Sequence, residues 1–421
     1  MNKTLGSGKR RRTGWFRRSA GGLTLLLAAW MIFSPTSQAL RALPRTYRLT
    51  VGQQYDLHMG VAVLSSQDER LSLRQNTMTA REKGEAEVTI NLFGLFPIGR
   101  MRVDVGEETR LMPGGQAVGV ALATKGVLVV GVSDVAGRSP AQSAGLRAGD
   151  VIEAVDGQAL VDSGHLTQMV AASGGKPLSL TFQRDGISRT AILTPLRDAA
   201  SGAWRIGAWV RDSTAGVGTL SYYNPADDSY GALGHAINDG DTGKLLPVRT
   251  GSLLRAEIVD VRRGAKGTPG ELRGSFLRNQ VMLGDILENT NLGIYGYLNQ
   301  AYVNPLYPDG LPVGYQESVE TGPATILSTI DGDGIREYSV EIVQANRQLS
   351  PAPKSMVIRV TDPRLLEKTG GIVQGMSGSP ILQNGRIIGA VTHVFVDDPT
   401  QGYGLYIEWM LTTAKAMDDA A

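Results

Sequence analysis

The chain has 421 residues, 42% of them hydrophobic and 19% charged, which fits two to three globular domains and is too apolar for a disordered protein. Its net charge is +2, with much of the positive excess near the N-terminus, so the rest offers no basic stripe for nucleic acid. The absence of cysteine excludes disulfides, thiol nucleophiles and cysteine-held metals, leaving chemistry to oxygen and imidazole.

The stretch from Lys9 to Arg18, "KRRRTGWFRR", is followed by an uncharged run from Ser19 to Leu40 that is most apolar between Leu23 and Phe33. With small residues at Ser37 and Ala39, residues 1–40 have the layout of a signal peptide, and the uncharged run is also long enough to cross a bilayer. Cleavage after Ala39 and retention as a membrane anchor both stay open. Either exports the remainder, because the positive-inside rule keeps the basic block cytoplasmic. Short alternating runs such as "TYRLTV" and "EAEVTINLFGL" then predict a small β-rich module over 41–110, without an evident chemical site.

Residues 111–197 are better punctuated. "PGGQAVGVALATKGVLVVGVSDV" is a glycine loop feeding a β run. Ser139 and Pro140 read as N-cap and first residue of a short helix that Gly145 stops, and Asp156-Gly157 turns a hairpin. "SGHLTQMVAASGG" predicts a second helix, and "LSLTFQRDGISRTAILTP" two strands around Asp185-Gly186. This order resembles a PDZ domain, most specifically in "SAGLRAGDVI". The resemblance implies an extended peptide added to a strand edge, its carboxylate resting on backbone N–H groups of a glycine-containing loop. That loop maps onto Val118, Gly119, Val120 and Ala121, although a tight turn would need the glycine without any ligand. His165 on the second helix is either a peptide-selecting residue or a solvated surface histidine.

The block 198–421 is rich in strand-like runs with little helix, which predicts a sandwich or barrel. "DGDG" at Asp331 to Gly334 lacks the twelve-residue calcium pattern and reads as a hairpin turn, so neither a metal nor a cofactor is expected. Of the four histidines, His58, His165, His235 and His393, only the last two share the block with Ser377. A serine hydroxyl needs a nearby base to attack an acyl carbon. His235, among glycines in "YGALGHAINDGDTG", suits a loop or rim, whereas His393 lies in an apolar run and reads as a strand residue packed beside the site.

Gly375-Met376-Ser377-Gly378-Ser379-Pro380 resembles the G-x-S-G-[GS]-P nucleophile loop of trypsin-like serine peptidases and does not match the G-x-S-x-G elbow. Glycines at 375 and 378 let the backbone bend so that the N–H groups of Gly375 and Ser377 face one point. Such an oxyanion hole is worth roughly 100- to 1000-fold per donor. His235 and Ser377 lie at about one sixth and four fifths of the block, and "IEWMLTTAKAMDDA" supplies a C-terminal helix, as in trypsin-like double barrels. The fold expected is therefore mainly β: a trypsin-like double β-barrel preceded by a PDZ domain and the N-terminal module.

An export signal, "LFGLFPIGRMRVDV", a PDZ domain, "GALGHAI" and "GGIVQGMSGSPI" in this order resemble the SpoIVB family of sporulation serine peptidases over nearly the whole chain. The resemblance implies a triad in which Ser377 attacks, His235 carries the proton and Asp362 orients the imidazole. Position alone favours Asp285 in "MLGDILEN", because trypsin-like layouts put the acid there, and Asp362 also reads as an N-cap before Pro363. The family implies secretion from the forespore into the intermembrane space and self-cleavage near the N-terminus. It also implies a cut in the extracytoplasmic part of a membrane-bound regulator that restrains an intramembrane protease, which then activates a late mother-cell sigma factor. A PDZ domain tethered to the protease can hold the chain's own N-terminal segment at about millimolar effective concentration. Two alternatives stand beside this reading: a PDZ adaptor with an inactive peptidase-like domain, and a general envelope quality-control protease.

Overall fold

A computed structural model describes residues 46–418 apart from 53, 57–61, 75–76, 276–280 and 333. The expected signal or anchor segment, 1–40, and His58 lie outside the described residues. Among the described residues, no helix is long and apolar enough to cross a membrane. The chain divides into two compact units, Met1–Glu108 and Thr109–Ala421.

In the first unit, alternation in "GEAEVTINL" places Val88 and Ile90 inward and their neighbours outward. That strand, Gly84–Leu92, pairs with Phe96–Gly106 and Ala62–Ser65, and Thr46–Thr50 completes a four-stranded sheet. A second, three-stranded sheet contributes Met78 and Leu71 to the same core. The β-rich character expected for this module is present.

In the second unit, twelve barrel strands are labelled here in chain order. They are β1 (Ala117–Val132), β2 (Ala208–Tyr223), β3 (Ser229–Ala232), β4 (Val248–Arg255), β5 (Met282–Thr290) and β6 (Gly293–Leu298). The second set is β7 (Gly322–Ser328), β8 (Arg336–Ala345), β9 (Met356–Val360), β10 (Pro380–Gln383), β11 (Arg386–Phe395) and β12 (Asp398–Tyr406). The order β1-β4-β5-β6-β3-β2 returns to β1 through the β1–β2 pairing, and β7-β8-β9-β12-β11-β10 is likewise closed. The first barrel packs Val118, Val120, Leu220, Tyr230, Ile286 and Ile294; the second packs Ile326, Ile342, Ile358, Ile381 and Leu405. The trypsin-like double barrel expected from the motif spacing is the observed architecture.

The PDZ region folds as its punctuation predicts. Helix α1 (Pro140–Ser143) is capped by Ser139, and α2 (Ser163–Ala172) by Asp162, whose carboxylate accepts from His165 N–H at 2.7 Å. Asp156-Gly157 and Asp185-Gly186 both have positive φ at two successive residues, the left-handed turn that tight hairpins need. Strands Val151–Val155, Leu178–Arg184 and Ile187–Leu193 extend a sheet from the second half of β1, and Leu166 and Val170 of α2 pack on it.

Two corrections follow from β1 and β2, each 16 residues long. The expected break at 197/198 is not a break, because both strands place one half in the PDZ sheet and the other in the first barrel. The first half of β2 pairs with Leu128–Val132 and its second half with Ala117–Ala123. Second, Val118, Gly119, Val120 and Ala121 are not a carboxylate-binding loop: they pair on one side with residues 215–218 of β2 and on the other with residues 252–255 of β4. A strand with both edges hydrogen-bonded has none to offer a peptide.

Candidate active site

The loop before β10 is shaped by glycine. Gly375 and Gly378 have φ of +96° and +97°, and a Cβ at Gly378 would lie 2.0 Å from the Thr219 carbonyl oxygen and 2.6 Å from Leu233 N. Only glycine lets the loop approach the first barrel this closely. Thr219 of β2 holds it there: its N–H donates to the Ser377 carbonyl at 3.0 Å, and its hydroxyl to the Gly375 carbonyl at 2.8 Å. The N–H groups of Met376, Gly378 and Ser379 are all bonded within the fold, to Val373, Val391 and Met376 carbonyls. Those of Gly375 and Ser377 make no backbone hydrogen bond among the described residues. These are the two donors proposed for the oxyanion hole.

His235 comes from the first barrel. After β3 the chain makes two successive left-handed residues, Leu233 (φ 68°) and Gly234 (φ 69°), which turn His235 toward the Ser377 loop. Buried Asn289 at the end of β5 fixes the segment that follows: it accepts from Ile237 N–H at 2.8 Å and donates to the carbonyls of Ile237 at 2.8 Å and Leu246 at 3.0 Å. His235 Nδ1 lies 2.8 Å from the Ala236 carbonyl oxygen. Since a carbonyl only accepts, Nδ1 carries the proton and Nε2 keeps its lone pair, the tautomer a general base requires. Burial holds the imidazole below its ordinary pKa, with the Ala236 carbonyl opposing in part.

Ser377 and His235 line one cleft of about 860 Å³ between the barrels, together with Gly375, Thr392, His393 and residues 214–217 of β2. The Ser377 hydroxyl donates to the Thr392 carbonyl at 2.7 Å. His393 stands at the rim with its ring centroid 5.0 Å from that of His235, and partial desolvation on the side facing the cleft, together with the neighbouring His235 and Lys354, lowers its pKa to about 4. It lies beside the site, as expected, but at the solvent edge and not packed in an apolar interior.

Neither candidate acid is brought to His235. Among the described residues, no carboxylate lines the cleft. Asp362 is buried as the N-cap of α3 (Pro363–Thr369), where it accepts from the N–H groups of Ser339, Arg364 and Leu365 and pairs with the Arg364 guanidinium at 2.7 Å. The guanidinium, ahead of the backbone donors and against burial, pulls its pKa down to about 2. The carboxylate is thus occupied with helix capping, the residue-level reading its Pro363 neighbour suggested. Asp285 in β5 has an exposed side chain, and its carbonyl accepts from Tyr230. Thr219, Asn289 and the carbonyls of Ala236 and Thr392 escaped sequence reasoning. Backbone acceptors carry no residue signature, and Thr219 stands 158 positions from the serine it supports. His165 Nδ1 accepts from Val161 N–H. Among the described residues, no group of three or more histidine, aspartate or glutamate side chains could hold a metal ion.

Two barrels with serine and histidine facing across the seam, beside a PDZ module, define the class: a serine peptidase joined to a peptide-binding domain. Residues 202–411 belong to the SpoIVB peptidase S55 family, and residues 131–184 match the PDZ domain family. Among curated proteins, a putative zinc metalloprotease LL2128 of Lactococcus lactis is 41% identical over 69 residues, 16% of each chain. A probable periplasmic serine protease do/HhoA-like of Haemophilus influenzae is 45% identical over 58 residues, 14% of this chain and 12% of that protein. The matches thus span less than a fifth of either relative's length. Among solved structures, the PDZ domain of the SdrC-like protein Lmo2051 of Listeria monocytogenes is 23% identical, covering 20% of this chain and 87% of that one at a TM-score of 0.18. The active form of the Rv3671c protease of M. tuberculosis is 17% identical, covering 47% and 72% at a TM-score of 0.27.

Proposed function

We propose that the protein is an exported serine endopeptidase acting on protein substrates. The observation that carries this is the shared cleft holding Ser377, the Nδ1-protonated His235 and the two unbonded N–H groups of Gly375 and Ser377. In the reaction, the Ser377 hydroxyl turns from the Thr392 carbonyl to His235 Nε2, and Oγ attacks the scissile carbonyl carbon as its proton passes to the imidazole. The oxyanion that forms is stabilised by the Gly375 and Ser377 N–H groups. The protonated ring then gives its proton to the leaving amine, and water repeats the sequence to release the acyl group. The Ala236 carbonyl holds the ring where the family resemblance would place Asp362. A fluorophosphonate should label Ser377 of the wild-type chain and leave Ser377→Ala unlabelled; a wild-type chain that neither labels nor hydrolyses any peptide overturns the reading.

The finer reading is a signalling protease of sporulation. It is released from the forespore, tethered through residues 1–40 before any cut, cleaves itself near the N-terminus, and then cuts the extracytoplasmic part of a membrane-bound regulator. Membership of the S55 family supports this reading. A signalling enzyme should leave casein nearly intact while N-terminal sequencing shows one self-cut; ragged digestion of casein would favour a quality-control protease.

A further inference from the structure

Of the six large hydrophobic side chains left exposed among the described residues of the first unit, five stand at one end of its four-stranded sheet. They are Val63 (39% exposed), Phe93 (56%), Leu95 (75%), Phe96 (62%) and Ile98 (41%). The last four form the tip of the hairpin between Gly84–Leu92 and Phe96–Gly106, which turns through Phe93, Gly94 and Leu95, and Val63 lies beside Gly94. From Val88 to Gly99 no residue is charged. Charge resumes as a collar behind the tip, where Arg100 pairs with Glu87 at 3.1 Å and Arg102 with Glu85 at 3.7 Å. An apolar end behind a charged collar marks a surface that meets a partner.

The turn does not need these residues in order to fold. Phe93 and Gly94 both have positive φ, 54° and 71°. Asn and Gly are at ease there, whereas a bulky side chain is strained. Phe93 gains little core packing in exchange, since more than half of it faces solvent. The local polar groups suit burial in lipid: Gly94 N–H donates to the Asn91 carbonyl at 3.4 Å, Leu95 N–H to the Leu92 carbonyl at 3.1 Å, and the Asn91 amide to the Ser65 hydroxyl at 2.7 Å. Pro97 has no N–H at all. A convex tip whose polar groups are bonded within the sheet loses little on leaving water. Strand pairing also sets its direction. Thr46–Thr50 runs parallel to the second arm, with Thr46 beside Arg102, so both strands followed backward head for the tip. Phe96 lies six residues before Arg102, ~20 Å at ~3.3 Å per residue, and Leu40, where the uncharged run ends, lies six residues before Thr46. The intervening chain can span the same ~20 Å, so tip and run can reach one bilayer from the same end of the sheet.

We propose that this hairpin tip is a second membrane contact: Phe93, Leu95, Phe96 and Ile98 enter the interfacial layer of the bilayer from which the N-terminal run emerges, with the Arg100–Glu87 and Arg102–Glu85 pairs at water level. A single weak apolar contact holds a protein to a membrane only reversibly, and stable attachment takes two. While residues 19–40 are attached, the tip fixes how the first unit lies on the surface. Once they are cut away, the tip alone leaves the enzyme reversibly bound, free to leave one patch of membrane for another.

This inference rests on the reading of residues 19–40 as a membrane anchor, and its test reads the two separately. The full chain is used as Ser377→Ala, so that it stays whole. It has no cysteine, so Leu95→Cys and Val51→Cys each carry a single nitrobenzoxadiazole label. Val51 is exposed at the opposite end of the same sheet, bonded to Gly106, about ten residues or ~33 Å along the strand from Phe96. Each labelled chain is reconstituted into phosphatidylethanolamine–phosphatidylglycerol vesicles with and without a doxyl-labelled lipid. The Leu95→Cys label should be quenched by the doxyl group and the Val51→Cys label should not. Phe93→Asn together with Phe96→Asn should weaken insertion about tenfold per ring and so abolish the quenching, while circular dichroism stays unchanged because Asn suits the turn. An unquenched Leu95→Cys label overturns the tip contact, and is what a tip covered by a protein partner or a second copy would give. Equal quenching of both labels, or quenching that survives the two Asn substitutions, overturns it as well. Alkaline carbonate decides the anchor on its own: a chain that resists extraction while its Leu95→Cys label stays unquenched keeps the anchor and loses the tip. A chain that is extracted loses the anchor, and quenching of the Leu95→Cys label still decides the tip.

Discussion

At the scale of residues, the proposed base and nucleophile would act as one unit. Ser377→Ala and His235→Ala should each lower kcat by roughly 10⁴- to 10⁶-fold, and the double variant should be no worse than either, because neither residue works without the other. A peptide hydrolysis assay on the three variants checks this. The pH profile carries a second expectation. In the proposed mechanism His235 is a neutral base, and burial lowers its pKa, so kcat/KM should be flat above pH ~6.5, the ordinary histidine value, with its acid limb below it. Stability shifts in the same direction. The unfolded histidines take up protons more readily than the folded ones, so their contribution is intact above pH ~6.5. It is lost as pH falls from there toward the folded values, which for His393 is about 4. Thermal unfolding between pH 4 and 8 should show a falling Tm on the acid side; a kcat/KM limb above pH 7 would remove His235 from the base role.

At the scale of elements, the catalytic loop and the α3 cap do different work. Gly378→Ala forces a Cβ against the Thr219 carbonyl and keeps an unfavourable positive φ, so it should cost about 1–3 kcal/mol in strain and displace both oxyanion donors. Activity should fall with kcat while chemical denaturation shows the stability loss. Asp362→Ala removes a helix cap, worth about 0.5–2 kcal/mol, and frees Arg364, so Tm should drop. Activity per folded molecule should stay within about tenfold, far from the ~10⁴-fold loss typical of a triad aspartate. Since the Asp362 carboxyl titrates at about 2, its stabilisation is present above the ordinary carboxylate range and is lost as pH falls through that value. A full loss of kcat in a folded Asp362→Ala protein would return Asp362 to the catalytic group and overturn this assignment.

At the scale of the whole molecule, β1 and β2 make the PDZ region and the first barrel inseparable. Deleting 111–197 takes Val118, Val120 and Leu122 out of the barrel core and leaves β4 without its partner, so the product should lack a cooperative unfolding transition by calorimetry. A deletion product that melts cooperatively would show the two to be independent. Much of the architecture was legible because its signals are local. The Asp156-Gly157 and Asp185-Gly186 pairs turned their hairpins, Ser139-Pro140 opened its helix, and the glycines around Ser377 marked a loop with special backbone angles. What could not be read locally was which strand edge is open. Val118 to Ala121 carry the glycine expected of a carboxylate loop, yet two strands more than 80 residues downstream cover both their edges. Asp362 likewise has the residue type of a triad acid and the contacts of a helix cap. Composition, turn chemistry and the Gly375–Pro380 motif determined the class of protein and pointed to its proposed nucleophile, since these depend on short-range backbone preferences. The partner of His235, the support from Thr219 and the covered edges of Val118 to Ala121 were decided only by the tertiary structure, because hydrogen-bond partners are settled by which strands close a barrel.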